Sequence, residues 1–289
     1  MARPSSATRS IASFAGTAAL VCAALGVPTS ARAQGWLDMQ NPQIEVSYVE
    51  PKSAVYRPIY EKLKSRQVLE ELSAFMSPLS LTRKVPVKLE ECGMPGTFFE
   101  PGGGVTICYE YVAVIERLAP ADRTERGVTR EAALAGAFVQ AMLHGMSLVV
   151  FEVLKVPVWG REEDAADKLA GFIMLQFGPD VALTLLTGTW HFFEVSGRTW
   201  TGNDFSDTSS NESQRYYNYL CIAQGGPSSE QFKPFLESTG FLRLRRAKRC
   251  REEYDAVRTA FRKTILPHVD KEQMEKVRKM RILIPGDGK

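Results

Sequence analysis

Apolar and polar positions alternate in three short stretches near the start of the chain and then give way to long helical periodicity. "QIEVSYVEP" (43–51) and "VPVKLEEC" (85–92) alternate at period two, which predicts strands. "GTFFEPGGGVTICYEY" (96–111) places two β-prone runs around Pro-Gly-Gly-Gly, a hairpin signal. Between the first two strands, Ile59, Leu63, Val68, Leu69, Leu72 and Phe75 recur at helical spacing, predicting one helix from Tyr56 to Met76. After the hairpin, "YEYVAVIERL" leads to a loop at Ala119–Gly127. Thr129 can cap a helix from Arg130 to about Lys155, which Pro157 stops. A further helix follows Gly160 and ends at Gly178-Pro179, and later helices are predicted over 180–194, 211–224, 228–238 and 243–266. A polar loop, "SGRTWTGNDFSDTSSNES", separates the first two of these. The plan is α+β, a small N-terminal sheet and hairpin packed on a mainly helical body.

The helix from Arg130 is almost wholly Ala, Val, Leu, Met and Phe, so it reads as buried on nearly all sides. Its polar exceptions between the first and last turns are Gln140, His144, Ser147 and Glu152. The first three fall at i, i+4 and i+7, one narrow stripe. Such a stripe faces either a polar cavity or hydrogen-bonding groups of a neighbouring element. In the next helix Glu162, Glu163 and Asp164 occupy the first turn, where the helix dipole favours acids. Glu163 and Asp167 share a face and could pair there with Arg161 or Lys168.

Composition adds a compartment. Arg3 and Arg9, the apolar run "IASFAGTAALVCAALGV" and the ending Ala31-Arg32-Ala33 form an export signal, with cleavage expected after Ala33. The remaining residues, 34–289, are expected to form a single domain, mixed over 34–111 and helical over 112–289. Three of the 36 basic residues leave with the leader and none of the 33 acids does, so the rest is electrically balanced. That balance gives no case for nucleic acid or for a membrane surface. The basic run "RLRRAKRCR" (243–251) is followed at once by Glu252 and Glu253 and reads as a solvated helix face. Cys92, Cys108, Cys221 and Cys250 remain after cleavage, an even number, which suggests two disulfides in a periplasmic or secreted protein. Of the three pairings, Cys92–Cys108 with Cys221–Cys250 closes two local units and is the one expected.

"GREEDAADKLAGFIML", with "EECG…FFEP…ICYEY" upstream and "QRYYNYLC" downstream, resembles a family of putative bacterial metallopeptidases catalogued as a domain of unknown function. The resemblance runs from about Val87 to Val257 and implies a zincin-like body of the gluzincin kind. In that pattern H-E-x-x-H supplies two zinc ligands and the base that activates water, and E-x-x-x-D on the next helix supplies the third ligand and a supporting acid. His144 matches the first histidine, Glu163 the third ligand and Asp167 the supporting acid. Gly145 stands in the place of the catalytic glutamate and Leu148 in the place of the second histidine. The family's histidine before Gln-Arg-Tyr is absent, its stretch here being "DTSSNES" (207–213). Glu152 is rotated about 80° around the helix from His144, which leaves His191 as the candidate replacement ligand. The resemblance therefore implies a pseudopeptidase that binds peptide or protein, without a cofactor and without stable membrane insertion after cleavage. The alternatives are an active zinc peptidase with a rearranged site and a structural envelope protein.

Overall fold

The computed structural model describes residues 38–197, 210–239 and 244–280. The expected leader, most of the polar loop after Ser196, and Arg243 of the basic run lie outside them. Four strands form one sheet: β1 (Ile44–Tyr48), β2 (Val85–Glu90), β3 (Thr97–Phe99) and β4 (Val105–Cys108). Their order is β1-β2-β4-β3. β1 and β2 run parallel with Val46 opposite Val87, and β2 and β4 run parallel with Leu89 opposite Ile107. The Pro-Gly-Gly-Gly hairpin makes β3 antiparallel to β4, with Phe98 opposite Thr106. In β2 the alternating residues Val85, Val87 and Leu89 are fully buried, as a half-buried strand requires.

The helices are α1 (Arg57–Ser65), α2 (Val68–Phe75), α3 (Tyr109–Leu118), α4 (Arg130–Val153), α5 (Glu162–Met174), α6 (Pro179–Ser196), α7 (Glu212–Gly225), α8 (Ser229–Thr239), α9 (Leu244–Ala247), α10 (Cys250–Thr264) and α11 (Lys271–Met280). Together with the N-terminal sheet they make the α+β fold that the pattern predicted. Two helix predictions are corrected. The single helix expected over 56–76 is two helices, broken where Gln67 adopts a left-handed φ of 54°. The break lets α2 turn onto the first strand, where the Tyr48 hydroxyl accepts the Leu69 N–H at 2.9 Å and donates to Glu70 at 2.6 Å. The helix expected over 243–266 is likewise divided into α9 and α10.

α4 is the axle of the fold. It packs on β3 and β4 and against α3, α5 and α6. By length and hydropathy it could cross a bilayer, but most of its surface is buried inside the protein, which accounts for its apolarity. Its first turn is closed by Thr129, whose hydroxyl accepts the Ala132 N–H at 3.1 Å. Close approach to α6 depends on Gly136 and Gly188, since a Cβ on either would run into the backbone of the other helix. Thr189 then donates across this contact to the Gly136 carbonyl at 3.0 Å.

Both expected disulfides are formed. Cys92–Cys108 ties the turn after β2 to the end of β4, and Cys221–Cys250 ties α7 to α10. Two disulfides fit an oxidising compartment.

Candidate functional site

α4 and α5 are joined by a short loop, and the acidic start of α5 faces the polar stripe of α4. His144 projects from α4 between two carboxylates. Its Nδ1 lies 2.8 Å from Asp167 Oδ1 and its Nε2 lies 2.7 Å from Glu163 Oε2. The i, i+4 spacing of Glu163 and Asp167 is what brings one acid to each ring nitrogen. Asp167, 1% exposed, is the hub of the cluster. It accepts from Arg215 Nε at 2.6 Å and Nη2 at 2.8 Å, a bidentate pair, and from Gln140 Nε2 at 3.1 Å. The Tyr219 hydroxyl reaches the same carboxylate at 3.3 Å and accepts from Gln140 at 3.2 Å. Arg215 is supported from below by the Phe193 ring, 4.5 Å from its guanidinium carbon.

The charges in this cluster are mutually dependent. Burial is the largest influence on Asp167 and disfavours its charge. The Arg215 guanidinium and His144 nevertheless outweigh it and hold the carboxyl well below the usual carboxylate range. Burial likewise works against a charged His144, but the Asp167 charge and hydrogen bonds to both carboxylates raise its pKa. Carboxylates only accept, so below its raised pKa the ring donates from both nitrogens, as an imidazolium held between two acids. Burial pushes the Tyr111 phenol, which feels Arg215 and Asp167, up to about 12.

Several expected partners are elsewhere. Glu163 and Asp167 turn to His144, and Lys168 reaches Glu253 at 3.9 Å instead. Ser147 departs from the stripe, its hydroxyl donating back to the Leu143 carbonyl at 2.7 Å. Glu152 is structural, accepting from Arg83 at 2.6 Å and from the Gly102 N–H at 2.7 Å, which fastens the hairpin tip to α4. His191 is no replacement ligand: its Nε2 is engaged with the Leu118 carbonyl at the end of α3, 3.1 Å away. Gly145 is packed against the sheet, and Leu148 is buried in the core. Arg215 and Tyr219, which complete the cluster, were not singled out from the sequence. Their signal was the "QRYYNYLC" stretch, in which the two residues sit four apart on one helix face.

A catalytic zinc site of the expected kind needs three protein ligands and an open position. His144 and Glu163 supply two donors, and Leu148 supplies hydrocarbon where the third should stand. Among the described residues, the only three His, Cys, Asp or Glu donors within 4.8 Å of one another are those of Cys92, Cys108 and Glu110. These cannot serve, because the sulfurs are bonded to each other. The Glu110 carboxylate is also occupied, accepting the Cys92 N–H at 3.0 Å and the Gly93 N–H at 2.6 Å. The described donor set therefore does not fit a catalytic zinc ion.

No curated protein and no solved structure matches the chain. A family model described as "Putative metallopeptidase" matches residues 48–265, three quarters of the sequence and more than the motifs alone marked out. Since that model spans most of the sequence, the chain belongs to the putative metallopeptidase family.

Proposed function

We propose that this chain is an exported, non-hydrolytic member of its family that keeps the peptidase frame to bind a peptide or protein segment. The observation that carries the reading is the His144–Glu163 hydrogen bond. The two groups that would share a zinc ion share a proton instead, 2.7 Å apart, beside a glycine and a leucine in place of the base and the second histidine. Hydrolysis without a general base is slower by about 10²–10⁴-fold, and an incomplete ligand set removes the activated water as well. Export after cleavage at Ala33 accords with the two disulfides, and residues 34–289 would act as one unit around α4.

Peptide binding is supported by β3, which ends the sheet and pairs only with β4 among the described strands. Its outer edge offers backbone donors and acceptors that an extended segment can use. One observation favours a second reading, that of a structural envelope protein with a filled cleft: Val105 of β4 lies against α4 at Gly145.

The test is to incubate the mature protein with fluorescent casein fragments, with and without added zinc. Saturable binding with no cleavage is expected. Cleavage that disappears in His144→Ala would overturn the proposal, and absence of binding would favour the structural reading.

A further inference from the structure

On another side of α4 from the His144 cluster is a cavity of about 500 Å³. Its walls come from α2, α4, α5, α10 and α11, and neither His144 nor Glu163 lines it. Well-packed interiors hold few voids larger than a water molecule, whereas this volume falls in the range of small-molecule sites.

The walls are hydrocarbon, aromatic and thioether, among them Leu143, Met146, Leu169, Ile173 and Met274. Aromatic pairs brace two parts of the lining: Phe75 with Phe177, centroids 5.1 Å apart, and Phe172 with Phe261 at 5.3 Å. The polar side chains of the lining other than Arg278 are engaged with backbone carbonyls. Ser147 donates to the Leu143 carbonyl at 2.7 Å, and Gln176 donates to the Phe172 carbonyl at 2.9 Å. Such walls offer little to a sugar, a nucleotide or a peptide backbone, each of which needs partners for its polar groups.

The outer wall is held in place by backbone, which keeps it from folding into the space. Ser80 N–H donates to the His268 carbonyl at 2.9 Å and Asp270 N–H to the Pro78 carbonyl at 2.8 Å. This seam fixes the start of α11. The charged lining residue is Arg278 of α11, whose exposed guanidinium meets Glu275 at 3.0 Å in a surface pair. A surface pair of this kind is weak and readily exchanges partners. An apolar interior with one cation at its edge complements a molecule with one hydrocarbon chain and one anionic head.

We propose that this cavity binds a single-chain fatty carboxylate, its tail between α4, α5 and α10 and its carboxylate beside Arg278. Met146 and Met274 suit such a ligand, since thioether side chains adapt to flexible hydrocarbon. The proposal is independent of whether the His144 cluster binds zinc or peptide.

The experiment strips the mature protein of lipid and measures palmitate binding by calorimetry and native mass spectrometry. One molecule per chain is expected, with saturation. Ile173→Trp, which fills the cavity, is expected to weaken binding by at least about tenfold while circular dichroism stays native. Arg278→Glu lies on the surface and spares the fold; it is expected to weaken palmitate by about two- to fivefold and leave hexadecanol unchanged. A second candidate occupant is the apolar run Ile282-Leu283-Ile284, which follows α11 in the sequence. Palmitate binding seen only in a chain ending at Met280 would assign the cavity to that run and overturn the proposal. No binding by the full mature chain, or equal loss of palmitate and hexadecanol in Arg278→Glu, would overturn it too.

Discussion

A Cβ placed on Gly145 would stand 2.7 Å from Cγ1 of Val105. The helix therefore lies flush on β4 at the position where the family pattern has its catalytic glutamate. A glycine that costs about 1 kcal/mol of helix propensity relative to alanine is retained where the sheet leaves no room for a side chain. Restoring the glutamate is then a packing problem before it is a chemical one.

Gly145→Glu alone is expected to lower stability by about 1–3 kcal/mol through overpacking. Adding Val105→Ala should recover part of that loss, because it removes the atoms in the way. A double-mutant cycle from urea denaturation measures the coupling. Additive losses would mean that Val105 is not the obstacle.

Arg215 is predicted to matter more for stability than a half-hidden surface arginine would. Arg215→Met leaves the Asp167 carboxylate buried without its bidentate partner, and breaking a buried pair in this way costs about 3–5 kcal/mol. Arg215→Lys keeps the charge but not the fork, so it should fall between Met and wild type. Denaturant midpoints check this; a loss below about 0.5 kcal/mol in the Met variant would remove Asp167–Arg215 from the account.

The same cluster fixes the sign of the pH dependence. Asp167 has its pKa depressed in the folded protein. Its contribution is present above the unfolded value near 3.8 and fades as pH falls through the folded one. His144 has its pKa raised from 6.5. Its contribution is full below that value and is lost as pH rises through the folded pKa. Melting temperature should therefore fall on going from about pH 6 to about pH 9, and His144→Gln should flatten that limb. An unchanged alkaline limb in the variant would show that the imidazolium does not contribute.

The two disulfides close loops of 16 and 29 residues. Chain-entropy reasoning gives a loss of about 3 kcal/mol for the first and slightly more for the second when the bond is removed. Cys92→Ala/Cys108→Ala and Cys221→Ala/Cys250→Ala, compared by thermal denaturation, test the size and the order.

Much of this was legible because periodicity is a local property. Pro-Gly-Gly-Gly between two β-prone runs gave the β3–β4 hairpin, and the apolar run with one polar stripe gave α4 and the direction of His144. The break at Gln67 was not legible, since a left-handed glutamine carries no composition signal and is imposed by the docking of α2 on Tyr48. Arg215 was hidden for a related reason. A charged residue on a polar helix looks solvated until the fold places a buried carboxylate beside it. His191 was read as a candidate for chemistry and Glu152 as poorly aimed; each is occupied by a contact distant in sequence, with the end of α3 and with the hairpin tip. The paired carboxylates, by contrast, were visible through their i, i+4 spacing, which survives translation from sequence to helix unchanged.

His144 and Glu163 bind each other where a complete site would bind a metal. Elemental analysis of the mature protein, purified without chelator and dialysed against zinc, tests it most directly, with Val105→Ala/Gly145→Glu/Leu148→His measured alongside. No stoichiometric zinc is expected in the wild-type chain and about one equivalent in the triple variant, which restores the three-ligand set. One equivalent of zinc in the wild-type chain, lost on His144→Ala, would contradict it.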